Sequence, residues 1–133
     1  MSGIYQDRAL ADAAVERLKA YAQPQRLMIL SCLLRGEHTV SEIDAETGIG
    51  QPALSQQLAE LRRADLVSTR KEARSVIYAL ADDKTALCVR AMEAIFAGAG
   101  DPAQRLASVI GEPAEVQAIP ARPKGAAAFA RIG

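Results

Sequence analysis

Between Thr39 and Leu80 the chain changes its period once, and that change admits few folds. Up to about Ala64, apolar residues recur at three- and four-residue spacing, as Leu54, Leu58 and Leu61 do, which marks an amphipathic helix. From Val67 onward, polarity alternates through two runs rich in β-branched residues, Val67–Lys71 and Ser75–Leu80, which marks half-buried strands. Only Glu72, Ala73 and Arg74 separate the runs, so they must pair as an antiparallel hairpin. No Gly or Asn stands at its tip, and the turn type stays open.

Helices precede and follow this hairpin. Leu10, Ala14, Leu18 and Tyr21 form one stripe on a helix from about Arg8 to Tyr21. Pro24 suits the first turn of a second helix, and Gly36 suits its end. Thr39-Val40-Ser41-Glu42 reads as a capping box that opens a short third helix, closed by Gly48. The fourth helix begins at Gly50-Gln51-Pro52 and runs to about Ala64. Asp82 or Asp83 caps a last helix to about Ala97. The architecture expected is mainly α with a β-hairpin wing, in the order α-α-α-α-β-β-α.

At 133 residues the chain is one domain's worth. Residues 1–97 carry the periodic pattern. From Gly98 on come four of the six prolines and five of the nine glycines amid many alanines. Residues 98–133 therefore read as a flexible tail, with a short helix at Ala103–Ile110 behind Asp101-Pro102.

Composition excludes several classes. Sixteen basic residues balance sixteen acidic ones, so any nucleic-acid surface needs local segregation of charge. No apolar run nears the ~18 residues that a membrane span needs, and Met1–Arg8 lacks a secretory pattern, so the expected location is cytoplasmic. One histidine, His38, and two cysteines, Cys32 and Cys88, are too few for common metal sites or for Ser-His-Asp catalysis. Neither a cofactor nor catalytic residues are expected.

Two short helices joined through Thr47-Gly48-Ile49-Gly50, then a basic hairpin, make the winged helix-turn-helix order. The helix after Gly50 would enter the major groove with Gln51, Ser55 and Gln56 foremost. Gln can pair with the N6/N7 edge of adenine, and Ser can bond any base. Polar residues on a helix start usually do no more than solvate it. Here Arg62 and Arg63 end the same helix, and Arg70, Lys71 and Arg74 crowd the wing. That order suits phosphate contacts flanking a base-reading element.

These residues resemble the ArsR/SmtB family of small dimeric winged-helix repressors over about Ala13 to Phe96. The segments that carry the likeness are Pro24–Leu27, Thr39–Ile43 and Gly50 through Tyr78, above all Gln51, Leu54-Ser55-Gln56, Leu58 and Leu61-Arg62. The resemblance implies a homodimer through the first and last helices. It implies base contacts by Gln51, Ser55 and Gln56, wing contacts to DNA by Arg70–Arg74, and repression relieved by an effector. Metal sensors of the family carry Cys-x-Cys in the helix here spanning Val40–Glu46, or Asp and His in the last helix. This chain has neither cysteines in the first place nor His in the second, so no metal site is expected.

The wing Leu66–Ala73 looks most like the sulfide- and redox-responsive branch, which includes a nodulation repressor and a haemolysin regulator. Matched to the redox sensors, the sensing cysteine positions are Ser31 and Ala97. Cys32 is one residue from the first, a rotation of about 100° on a helix, and is expected away from the Leu27/Leu30/Leu34 face. Cys88 falls among Leu87, Ala91, Met92 and Ile95 and reads as a small core residue. Cys32 and Cys88 remain the candidate redox residues.

The expectation is therefore a homodimeric repressor on a palindrome in double-stranded DNA, because a two-fold dimer places two such helices in successive major grooves. The rivals are a winged-helix module that docks onto protein, and a thiol-based sulfide or peroxide sensor or enzyme built on Cys32.

Overall fold

The computed structural model describes residues 3–98 and 100–111. After a 3-10 turn at Ile4–Gln6, α1 spans Arg8–Tyr21, with the Asp7 carboxylate accepting from the Leu10 N–H at 2.9 Å. Helix α2 spans Pro24–Leu34, capped by the Gln23 side chain on the Arg26 N–H at 2.8 Å. Gly36 follows at φ 142°, the reversal a side chain would hinder. Helix α3 spans Val40–Thr47 and opens on a complete capping box. The Glu42 N–H donates to Thr39 Oγ1 at 3.2 Å, and the Thr39 N–H donates to Glu42 Oε1 at 2.9 Å. Gly48 ends it in the left-handed conformation, and the Gly50 N–H reaches back to Asp44 Oδ1 at 2.9 Å. These two features fix the tight turn into α4, Ala53–Arg63.

The hairpin pairs β2, Val67–Glu72, with β3, Ser75–Leu80, in antiparallel register from Val67↔Leu80 to Glu72↔Ser75. Its connection is Ala73-Arg74, one residue shorter than the sequence suggested. Ala73 takes φ 56°, so a non-glycine residue occupies the left-handed position. A strand absent from the sequence expectation, β1 at His38–Thr39, adds to the far edge of β3 through His38↔Tyr78 and Thr39↔Ile77. The sheet order is β1-β3-β2. Helix α5, Asp83–Phe96, is capped by Asp82, which accepts from both the N–H and the O–H of Thr85.

The short helix expected at Ala103–Ile110 within the tail is present as α6, Pro102–Gly111, and it packs along α5, which the reading of that stretch as a flexible tail did not anticipate. Arg105 donates to the Glu93 carbonyl at 3.2 Å, and Leu106 and Val109 are half-buried. The rest of that expected tail, 112–133, lies outside the described residues.

The core is the meeting of α2 with α3, α4, β3 and α5. Ile29, Leu30 and Leu33 of α2, Ile43 of α3, Leu54 and Leu61 of α4, and Leu66 and Leu80 flanking the wing are fully buried. Each such side chain stabilises by about 1.5–3 kcal/mol relative to exposure. Helix α1 is different. Tyr21 is buried, but Leu10, Val15 and Leu18 are about half exposed, because only the C-terminal end of α1 meets the rest of the chain.

Candidate nucleic-acid interface

Helix α4 turns its leucines inward and its first-turn polar residues outward. Leu54, Leu58 and Leu61 are buried, while Gln51, Ser55, Gln56 and Arg62 are exposed. The 3.6-residue period forces this split, since 54, 58 and 61 share one face, 56 lies opposite it and 55 lies at its edge, about 100° from 54. Gln51 does more than face solvent. Its Oε1 accepts from the Ser55 N–H at 3.0 Å and from the Ser55 hydroxyl at 2.7 Å. Gln51 therefore serves as the side-chain cap that Pro52, at the N-cap position, cannot supply. Gln56 makes no such bond among the described residues.

The wing cations divide into two kinds. Lys71 and Arg74 are exposed and form no ion pair among the described residues. Arg70 does not share that freedom. Its Nη2 donates to Glu37 Oε1 at 2.7 Å, and its Nη1 lies 3.4 Å from Glu72 Oε2. The Glu37 side chain is only 4% exposed. The hydrogen bond to Glu37 is the main cause that holds the Arg70 guanidinium above its ordinary pKa. Arg70, expected as a DNA contact like its neighbours, also ties β2 to the segment between α2 and β1. Arg63, at the end of α4, is likewise occupied, by Glu60 at 2.8 Å.

The two candidate redox residues sit in separate surroundings, and neither is bridged. Cys32 was expected away from the apolar side of α2, but it is 9% exposed and belongs to the core cluster. Helix α2 is buried on most of its circumference, with Ile29, Leu30, Leu33 and Leu34 beside it, so a rotation of about 100° brings Cys32 only to the wall of a cleft and not to the open surface. Burial pushes the Cys32 thiol up to about 11; Glu46 adds to this and Arg35 opposes it. Cys88 is half-buried beside Tyr21. Burial first, then Cys88, pushes the Tyr21 phenol up to about 12.

Sequence reasoning also missed a polar clamp between α2 and α5. Arg35 makes a two-pronged contact with Glu93, at 2.8 and 3.1 Å, and the Ser31 hydroxyl donates to the same carboxylate. Ser31 and Ala97 both line a cleft of about 590 Å³ with Leu27, Met28, Met92 and Phe96. No local pattern announces this clamp, because its members are 58 and 62 positions apart. Among the described residues, no helix is long and apolar enough to cross a membrane.

Comparison with known proteins agrees with this arrangement. The family described as "Bacterial regulatory protein, arsR family" matches residues 23–69, from the cap of α2 into β2. The biofilm growth-associated repressor of Agrobacterium fabrum is 49% identical over 79 residues, covering 59% of this chain and 68% of that protein. The transcriptional activator HlyU of Vibrio cholerae is 42% identical over 83 residues, covering 62% of this chain and 77% of that protein. The crystal structure of the transcriptional repressor BigR from Xylella fastidiosa superposes with TM-score 0.68 at 36% identity, covering 74% of this chain and all of that one.

Proposed function

We propose, from the premise that this chain belongs to the ArsR family of winged-helix transcriptional regulators, that it is a homodimeric repressor which binds a palindromic operator in double-stranded DNA. Membership makes it a DNA-binding regulator and not an enzyme. The observation that carries the finer reading is the face of α4. Gln51, Ser55 and Gln56 stand exposed directly after the Gly48 turn, and the uncommitted cations Arg62, Lys71 and Arg74 follow in order on the helix end and the wing. Gln56, with both amide groups open, is suited to the N6/N7 edge of adenine. Arg62, Lys71 and Arg74 neutralise phosphates, and Arg70 holds the wing at its angle through Glu37.

The dimer is supported by what the single chain leaves uncovered. Leu10, Val15 and Leu18 of α1 and Leu87 and Ile95 of α5 are each more than 40% exposed, and Phe96 is 83% exposed. Apolar side chains in that number on two neighbouring helices mark a surface that another protein covers. Pairing α1 and α5 about a two-fold axis would carry two copies of α4 into successive major grooves, one helical turn of about 34–36 Å apart. Release by an effector completes the reading, and the cleft between α2 and α5 supports it, since it adjoins the helix that would build the dimer.

Sedimentation and gel shift with the protein's own promoter test the proposal together. The expected result is a dimer in solution, one dimer per site, and protection of two symmetric half-sites. A monomer that shifts no promoter fragment while capturing another protein would favour the protein-docking module instead.

A further inference from the structure

We infer that Gln51 reads its base as a hydrogen-bond donor only, and that its partner is guanine. This deepens the reading of α4 as the base-reading helix and rests on it. The argument begins with a group that cannot change its role. The backbone N–H of Ser55 can only donate, so the Gln51 atom 3.0 Å from it must be the carbonyl oxygen and not the amide nitrogen. That fixes the orientation of the amide. The Ser55 hydroxyl, 2.7 Å from the same oxygen, then donates to it as well. A carbonyl oxygen has two lone pairs, and both are taken.

What remains on Gln51 is the NH₂ group, with two hydrogens and no partner among the described residues. The usual pairing of Gln with adenine needs an acceptor for N6 and a donor for N7 from one amide. Gln51 could offer the acceptor only by giving up the cap of α4. A helix start without its cap loses the partner of an orphan N–H, and Pro52 at the N-cap position has no side-chain oxygen to replace it. The donor group therefore faces the groove alone. Guanine sets two acceptors, N7 and O6, side by side. Adenine puts an amino donor next to N7, cytosine offers a donor, and thymine offers one acceptor beside a methyl group. Guanine is the best match for an amide NH₂ with no acceptor at its side. Gln56, uncommitted on the same helix, keeps both its carbonyl oxygen and its NH₂ open, so it is not held to this restriction.

The test uses the full chain and an operator selected from random duplexes by the wild-type protein. The base pair read by Gln51 is the one at which Gln51→Ala alone loses discrimination. The expected base there is guanine, and 7-deazaguanine in its place should weaken wild type roughly tenfold while leaving Gln51→Ala unaffected. Gln51→Glu keeps the capping oxygen and removes the donor. It should lower affinity for all sequences by charge, yet move the preference at that pair from guanine to cytosine, whose N4 donates. Adenine as the preferred base, or guanine still preferred by Gln51→Glu, overturns the inference. If Ser55→Ala and Gln56→Ala change discrimination but Gln51→Ala does not, this inference fails and the reading of α4 stands. If none of the three changes discrimination at any pair, the reading of α4 itself fails.

Discussion

Cys32 should be a slow thiol, and the structure says by roughly how much. Burial, reinforced by Glu46, raises its pKa from an ordinary 9.0 to about 11. Far below both values the thiolate population falls by the ratio of the two acid constants, roughly 100-fold. The thiolate that remains is the more basic and hence the better nucleophile. A Brønsted coefficient of about 0.4–0.5 returns roughly tenfold of that loss. The net expectation is alkylation about tenfold slower than in the unfolded chain from acidity alone, with steric burial slowing it further. Iodoacetamide labelling at pH 7.4, followed by mass spectrometry of the Cys32 peptide in native and urea-unfolded protein, measures this directly. The native rate should keep climbing with pH until about pH 11. Glu46→Gln should lower that inflection and Arg35→Ala should raise it. A native rate equal to the unfolded one, or a plateau near pH 8, would refute the reasoning and return Cys32 to the list of reactive sensors.

Other outcomes follow from the same structure. Thermal stability should fall as pH rises above about 9, because Cys32 and Tyr21 hold their protons in the folded chain up to about 11 and about 12. Each has a raised folded pKa, so its contribution is complete below the unfolded value and is lost as pH passes the folded one; melting curves from pH 8 to 12 check this. Lys71→Ala and Arg74→Ala should weaken binding to all sequences alike and reduce the salt slope by about one each, read by anisotropy against salt. Arg70→Ala should differ from them by also lowering the melting temperature, since it removes a 2.7 Å charged hydrogen bond from the enclosed Glu37 carboxylate. Leu61→Ala, at a fully buried position, should cost about 2–5 kcal/mol in urea unfolding. Zinc, cadmium or nickel at low micromolar levels should leave operator binding unchanged by gel shift.

What the sequence disclosed was local, and what it withheld was not. The capping box of Thr39 and Glu42 was readable because its partners are three residues apart, and both of its bonds are present. Gly48 and the pairing of the two strand runs were readable for the same reason. Strand β1 was not, because two residues become a strand only by meeting β3 some forty positions later. The Glu37–Arg70 pair, 33 positions apart, ties down one wing cation without leaving a pattern behind. The error over Cys32 came from assuming one buried face for α2. A helix enclosed by α3, α4, β3 and α5 has little outer face to offer. On α4 the periodicity gave the correct outward residues, but only atomic positions show that Gln51 spends its carbonyl oxygen on its own helix.

The central claim is that α4 reads base edges while the wing holds the backbone. The most direct measurement is the ratio of affinities for the operator and for an unrelated duplex of equal length, at one salt concentration, in wild type and in the Gln51, Ser55 and Gln56 triple alanine variant. Wild type should prefer its operator by roughly 10³-fold or more, and the triple variant should bind both duplexes with about the wild-type non-specific affinity. An unchanged ratio in a folded triple variant would contradict the account.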